Sequence, residues 1–160
     1  MKSHHFFLAA SALTLSASVL AAGSHANGSA HNAGDTAIGK PGVAAKATRT
    51  VQINMTDDMR FHADTIQAKR GETIRFVIKN SGALTHEMVL GTEKDLKDHY
   101  EVMKKNPEME HADTNMLTLA PGKIGEIFWQ FTQAGKVDFA CLQPGHYDAG
   151  MKGQVNVSKQ

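Results

Sequence analysis

The sequence of 160 residues is short enough to predict one folded domain. Its hydrophobic content of 41% and charged content of 21% are ordinary for a globular protein. It has 17 Lys and Arg residues against 16 Asp and Glu residues, so its formal net charge is only +1. Proteins that bind nucleic acid or acidic membrane surfaces usually carry a basic excess. This balance gives no support for either partner, and we expect no nucleic acid to bind.

Residues 1–22 are typical of a secretory signal peptide. Lys2 provides a short positive start, the stretch 6–20 is apolar and uncharged, and small residues follow it. A retained membrane anchor is the alternative, but a spanning helix needs roughly 20 apolar residues and this run is shorter. We therefore expect export to the periplasm of a bacterium and no membrane span in the mature chain.

Residues 23–49 are rich in Gly, Ala, Ser and Asn and contain few large apolar side chains. Such a segment buries too little surface to offset the entropy lost on ordering, so we expect a flexible leader. His25 and His31 lie within it and could capture metal ions, although histidines in a soft linker more often have no such role.

From residue 50 onward, apolar residues alternate with polar ones in short runs separated by Gly- and Pro-containing turns, the pattern of β-strands. Only residues 93–105 indicate a helix, because Leu96, Tyr100 and Met103 are spaced along one helical face. The predicted fold is all-β, a sandwich or barrel over residues 50–160 with one short inserted helix. The predicted strands are 51–55, 66–69, 74–78, 87–90, 116–119, 124–131, 137–141 and 154–157.

Cys141 is the single cysteine in the sequence. Exported proteins meet an oxidising compartment in which cysteines normally pair, and a lone cysteine has no partner within its own chain. It is therefore a free thiol, an intermolecular disulfide partner or a metal ligand.

The residues after Cys141 favour the metal-ligand interpretation. His146 and Met151 follow at C-x4-H-x4-M spacing between two predicted strands, and further histidines lie upstream at positions 62, 86, 99 and 111. Thiolate and thioether groups are soft ligands that suit Cu(I), while imidazole suits both oxidation states of copper. Two histidines, one cysteine and a weak methionine ligand describe an electron-transfer copper site, so we expect one copper ion per chain.

This segment resembles the ligand loop of the cupredoxins, the blue (type 1) copper proteins. The run Cys141-Leu-Gln-Pro-Gly-His146 is similar to the azurin and auracyanin loop, and Phe139 matches an aromatic residue often found there. The resemblance covers roughly residues 50–157. It implies a cupredoxin-like Greek-key β-sandwich, and it selects His86, at the start of a strand, as the upstream histidine. The implied copper ligands are His86, Cys141, His146 and Met151.

One position departs from the family pattern. Many cupredoxins have Asn directly after the first histidine ligand, where it braces the cysteine loop, whereas this chain has Glu87. A carboxylate at this place would favour Cu(II) electrostatically, so we expect Glu87 to tune the site.

Three functions fit such a copper site. The leader, the inserted helix and the abundance of Met and His resemble periplasmic copper-tolerance cupredoxins, so we expect a protein that cycles Cu(I)/Cu(II) and transfers one electron in copper tolerance. A dedicated soluble electron carrier to a respiratory oxidase or reductase is the alternative. A copper enzyme normally needs a second catalytic copper and a second domain, so we expect no enzyme. The expected partners are the copper ion and a periplasmic redox protein.

The soft side chains outside the predicted ligand set suggest a second, labile copper site. Exposed thioethers and imidazoles bind Cu(I) reversibly, although several methionines are expected to be core residues instead. The candidates are the pairs Met59 with His62 and Met109 with His111, and Met103 is a further soft side chain that favours copper tolerance.

Overall fold

The computed structural model describes residues 37–63, 65–107, 109 and 112–159. The predicted signal peptide and residues 23–36 of the predicted leader lie outside these ranges. Within them, the chain forms ten strands and one α-helix. The elements are β1 (Lys40–Pro41), β2 (Arg49–Thr56), β3 (Arg60–His62), β4 (Ile66–Lys69), β5 (Thr73–Asn80), β6 (His86–Gly91), α1 (Glu93–Lys105), β7 (Met116–Leu119), β8 (Ile124–Gln130), β9 (Gly135–Ala140) and β10 (Lys152–Ser158).

The strands form two five-stranded sheets. The first has the order β1-β8-β5-β2-β3 and the second has the order β4-β10-β9-β6-β7. The pairs β2/β5 and β4/β10 are parallel, while the other paired strands are antiparallel. This arrangement confirms the predicted all-β sandwich, and α1 confirms the predicted inserted helix with the same bounds.

All eight predicted strands are present, but the sequence did not predict β1 or β3. Both are too short to show an alternating pattern. β1 pairs with β8, and the indole Nε1 of Trp129 donates a hydrogen bond to the carbonyl of Ile38 at 2.7 Å. The first sheet therefore begins before residue 50, where the sequence placed the start of the domain.

The main core lies between the two sheets. In β5, Ile74, Phe76 and Ile78 are fully buried and alternate with less buried residues, as expected for a strand with one face in the core. Val155 and Phe139 of the second sheet belong to the same cluster. The alternating apolar residues of the sequence thus become the facing surfaces of the sandwich.

A second, smaller core lies between the second sheet and α1. Leu96, Tyr100 and Met103 of the helix pack with Val89 and other residues of that sheet. Every residue of β6 is buried, because one face of the strand points into the main core and the other lies under the helix. Within the described part of the chain, no helix is long and apolar enough to cross a membrane.

The start of α1 is fixed by local interactions. The side chain of Thr92 accepts a hydrogen bond from the backbone N–H of Asp95 at 3.2 Å, which satisfies one of the free N–H groups of the first turn. Just before it, a Cβ atom added to Gly91 would lie only 2.8 Å from Cγ of Leu96. A glycine at this position therefore allows the helix to lie close against β6.

We expect Leu96→Ala to lower the free energy of unfolding by about 2–5 kcal/mol, because it removes buried atoms from the second core and leaves a cavity. Val102→Ala on the exposed face of the same helix is the matched control and should change it by less than about 0.5 kcal/mol. Urea unfolding of the copper-free protein measures both values. Equal effects would show that α1 contributes little to the stability of the second core.

Candidate metal centre

Two paired strands of the second sheet place His86 beside Cys141. β6 and β9 are antiparallel, with Val89 opposite Ala140, so the first residues of β6 lie next to the end of β9. The backbone N–H of Glu87 donates a hydrogen bond to the Sγ atom of Cys141 at 3.4 Å. Residues distant in sequence are thus neighbours because of the strand register.

Residues 141–151, here called the ligand loop, connect β9 to β10. The backbone N–H of Cys141 donates to the carbonyl of Met151 at 3.1 Å, and the N–H of Met151 donates to the carbonyl of His146 at 3.0 Å. From β3, the guanidinium of Arg60 donates to the carbonyl of Ala149 at 2.9 Å. The loop is therefore closed on itself and tied to the first sheet.

The side chains of His86, Cys141 and His146 form one cluster. Their potential ligand atoms lie within 4.8 Å of one another, and Sγ of Cys141 lies 3.3 Å from Nδ1 of His146. The centroids of the two imidazole rings are 4.9 Å apart. His86 and Cys141 are completely buried, whereas His146 is half-buried. Met151 is also completely buried, and its backbone bonds to both Cys141 and His146.

The cluster has the properties of a metal site. Nδ1 of His86 is buried and has no hydrogen-bond partner among the described residues. Buried polar atoms are normally paired, so an unpaired imidazole nitrogen beside a thiol and a second imidazole is suited to a metal ion. The donor set of two imidazoles and one sulfur fits copper.

Burial changes the protonation of the cluster. It raises the pKa of the Cys141 thiol to about 12, although hydrogen bonds from backbone N–H groups oppose this shift. Burial also lowers the pKa of His146, and the neighbouring His86 lowers it further. Without a metal ion, the cluster therefore contains a neutral thiol at neutral pH. A copper ion that bound through this sulfur would have to displace that proton.

Glu87 braces the ligand loop from β6. Its carboxylate accepts a hydrogen bond from the backbone N–H of Leu142 at 2.9 Å and another from the hydroxyl of Thr118 at 3.2 Å. Its exposed fraction is only 2%. The sequence resemblance assigned the bracing of the cysteine loop to an Asn at this position, and here the carboxylate of Glu87 makes such a contact.

Tyr100 braces the same loop from α1, a contact that the sequence did not reveal. Its hydroxyl accepts a hydrogen bond from the backbone N–H of Gly145 at 3.0 Å and donates one to Asp148 at 2.8 Å. Its ring stacks on Tyr147 with a centroid distance of 4.9 Å. The helical pattern predicted that Tyr100 is buried, but nothing in the pattern indicated which loop it contacts.

Asp57, in the turn between β2 and β3, was also missed. Its Oδ1 atom lies 3.0 Å from Nε2 of the buried His86, and its carboxylate accepts hydrogen bonds from the backbone N–H groups of Ala83 and Leu84. The bond from Ala83, followed by that from His86, lowers the pKa of Asp57. No sequence pattern links Asp57 to His86, because the contact depends on the packing of two segments that are distant in sequence.

The other histidines do not join this cluster within the described residues. Half of the His62 side chain is exposed, and its Nε2 lies 2.9 Å from both Asp58 and Thr56. His99 lies on α1, as predicted, and His111 lies outside the described residues. Of the histidines in the described residues, His86 is the one that joins Cys141 and His146, and its role as a copper ligand stays a prediction of the family resemblance.

The methionines that suggested additional copper chemistry occupy different environments. Met103 is 3% exposed in the second core, so its inclusion among the exposed thioethers that favour copper tolerance is wrong. Met59 is partly buried against the main core, and Met109 is 42% exposed. The helical position of Met103 explains its burial, because it shares one face with Leu96 and Tyr100.

Comparisons with known proteins decide the family. The family described as copper binding proteins, plastocyanin/azurin family, matches residues 47–158. The chain is a cupredoxin. This result confirms the predicted family and the cupredoxin-like β-sandwich, and it makes copper the metal of this protein.

Individual relatives show which group of cupredoxins this chain is similar to. The copper-resistant cuproprotein CopI of Rubrivivax gelatinosus is 54% identical over 133 residues, which cover 83% of this chain and 80% of the relative. CopI of Pseudomonas aeruginosa is 36% identical and covers 76% of this chain and 82% of the relative. The cupredoxin is thus most like the copper-resistance proteins, as the sequence resemblance predicted.

Solved structures support the same fold. Reduced auracyanin from Roseiflexus castenholzii is 26% identical to this chain, and the two structures match with a TM-score of 0.59. The match covers 70% of this chain and 98% of the auracyanin chain. The two-sheet architecture of this cupredoxin therefore matches the crystal structure of an auracyanin over nearly the whole length of that auracyanin.

We expect Tyr100→Phe to lower the free energy of unfolding by about 1–2 kcal/mol, because it removes two hydrogen bonds from a buried hydroxyl. The amide of Gly145 should also exchange its hydrogen faster, which NMR in deuterated water measures. Tyr147→Phe is the control, since the Tyr147 hydroxyl makes no hydrogen bond to the described residues and its ring stack is retained. Unchanged exchange at Gly145 in Tyr100→Phe would contradict the bracing role.

Proposed function

We propose that this cupredoxin is a periplasmic type 1 copper protein that cycles between Cu(I) and Cu(II) and transfers one electron in copper tolerance. The observation that carries the proposal is the buried cluster of His86, Cys141 and His146. When bound there, copper supplies the one-electron couple. The ordered loop and its bracing contacts supply a nearly fixed set of donor atoms.

The proposed ligands are His86, Cys141 and His146 as strong donors and Met151 as a weak donor. The unpaired Nδ1 of His86 and the short separation of Sγ and Nδ1 of His146 support the first three. Met151 is supported by its complete burial and by its backbone bonds to the other two loop ligands. A thioether donor is weak for Cu(II), so its contribution is to adjust the reduction potential.

The exposure of the ligands suggests a route for the electron. His86 and Cys141 are completely buried, while His146 is half-buried on the ligand loop. A redox partner can therefore approach the site most closely at the imidazole of His146. The proposed partner is a periplasmic redox protein that docks over this loop.

Copper tolerance is supported by the relatives. Two curated relatives with 54% and 36% identity are named copper-resistant cuproproteins, and the match covers at least three quarters of this chain in each case. Residues 1–22 have the composition of a signal peptide, which supports export to the periplasm. The proposal describes a carrier and binder of copper and assigns it no enzymatic reaction.

The ligand assignment is tested by two variants with different expected spectra. Cys141→Ser should abolish the intense visible absorption that a thiolate gives when bound to Cu(II). Met151→Leu should retain this absorption and one copper per chain and should raise the reduction potential, because the lost thioether stabilises Cu(II) slightly. Absorption spectroscopy, metal analysis and voltammetry measure these properties. Survival of the band in Cys141→Ser would refute the assignment.

The biological role is tested by deleting the gene and growing the cells with and without added copper. We expect the deletion to sensitise cells to copper while respiration without added copper stays normal. The wild-type gene should restore tolerance, whereas the Cys141→Ser gene should not, because the copper site is lost. Normal copper tolerance combined with a respiratory defect would favour the dedicated electron carrier instead.

A further inference from the structure

The turn between β2 and β3 reaches the proposed copper site from the opposite sheet. Met59 N–H donates to the carbonyl of Thr56 at 3.1 Å, which closes the turn, and Asp57 lies within it. The Asp57 carboxylate contacts Nε2 of His86 at 3.0 Å. His86 is completely buried, while 38% of the Asp57 side chain is exposed, so the carboxylate covers the outer nitrogen of the ring.

Each nitrogen of His86 thus has a different environment. Nε2 faces a carboxylate, and Nδ1 is buried with no hydrogen-bond partner among the described residues. A carboxylate only accepts hydrogen bonds, so Nε2 carries the hydrogen and Nδ1 of the neutral ring keeps its lone pair. This is the tautomer required for a metal bond through Nδ1.

Asp57 is itself held in place. Its Oδ2 atom accepts from the backbone N–H of Ala83 at 2.7 Å, and its Oδ1 atom accepts from that of Leu84 at 3.3 Å. A Cβ atom added to Gly82 would lie 2.1 Å from Oδ1 of Asp57, so the carboxylate occupies space that only glycine leaves free. The segment before β6 therefore holds this carboxylate in one position, through two backbone hydrogen bonds and the space left by Gly82.

We propose that Asp57 is a positioning residue for the copper site, which fixes the orientation and tautomer of His86 and biases the bound metal toward Cu(II). Carboxylates that accept from a ligating histidine are known to orient the ring and to increase its strength as a donor. A negative charge close to the ligand also favours the more positive oxidation state of the ion. The proposal rests on the proposed ligand role of His86.

The first experiment uses the copper-free protein. Long-range 1H–15N NMR spectra should show His86 as the Nε2–H tautomer in the wild type and as a mixture of tautomers in Asp57→Ala. This measurement needs no copper, so it tests the positioning of His86 even if the proposed function is wrong. A single unchanged tautomer in Asp57→Ala would overturn the proposal.

The second experiment measures the copper-loaded protein by voltammetry and by competition for copper. Asp57→Asn and Asp57→Ala should both raise the reduction potential, and Asp57→Ala should weaken the binding of Cu(II) by about tenfold to a hundredfold. Asp58→Asn is the matched control, because it removes the same charge from the adjacent position, which contacts His62 instead of His86. Its exposed charge is screened by solvent, so the potential should stay close to the wild-type value.

A purely structural role for Asp57 predicts a different result. In that case, replacing Asp57 would lower the melting temperature, because the hydrogen bonds from Ala83 and Leu84 are lost. The reduction potential of the folded, copper-loaded variants would stay unchanged. Gly82→Ala gives an independent variant if Asp57→Ala does not fold, because the added methyl group displaces the carboxylate. Gly82→Ala should raise the reduction potential, as the Asp57 variants do. Potentials of the Asp57 and Gly82 variants that move no further than that of Asp58→Asn would overturn the proposal.

Discussion

The hydrogen bond from Cys141 N–H to the carbonyl of Met151 closes the ligand loop, and the proposed copper site depends on this closure. This hydrogen bond joins the first residue of the loop, directly after β9, to the last residue of the loop, directly before β10. Three of the four proposed ligands lie within the closed segment. Because β9 and β10 are paired strands in the centre of the second sheet, the ends of the loop are held by the sandwich itself.

Side chains from separate elements then fix the inside of the loop. Glu87 on β6 accepts the N–H of Leu142, Tyr100 on α1 accepts the N–H of Gly145, and Arg60 on β3 donates to the carbonyl of Ala149. The contacts come from both sheets and from the helix, so no single element determines the loop conformation. A site braced in this way needs little rearrangement when its charge changes, which suits the proposed one-electron transfer.

The inserted helix both covers the second sheet and holds the ligand loop. It covers the outer face of the second sheet, which allows β6 to be buried on both sides, and it carries the hydroxyl that holds the loop. The stability of the second core and the geometry of the ligand loop are therefore linked through Tyr100. Stacking of Tyr147 on the same ring, with Nζ of Lys152 3.7 Å from the Tyr147 ring centroid, extends this link to the start of β10.

The sequence was sufficient for features that repeat or that lie close together along the chain. The alternation of Ile74, Phe76 and Ile78 revealed a strand, and the spacing of Cys141, His146 and Met151 predicted a loop of candidate copper donors. These patterns are local, so they can be recognised without knowing the fold.

Contacts between distant turns could not be predicted in the same way. The bond between Asp57 and His86 joins two segments that are adjacent only after the sheets have packed, and neither segment has a distinctive spacing. Met103 shows the opposite error, since its thioether suggested copper chemistry while its helical position places it in the second core. The sequence thus identifies candidate donors, but burial and packing decide which of them can meet a metal ion.

The complete burial of Cys141 has a consequence for the time between folding and copper binding. A thiol attacks oxidants and disulfides as the thiolate, and burial raises the pKa of this thiol to about 12. The folded copper-free protein therefore presents its single cysteine as a shielded, protonated group. In the oxidising compartment proposed for this cupredoxin, folding itself protects the thiol from forming mixed disulfides until copper arrives.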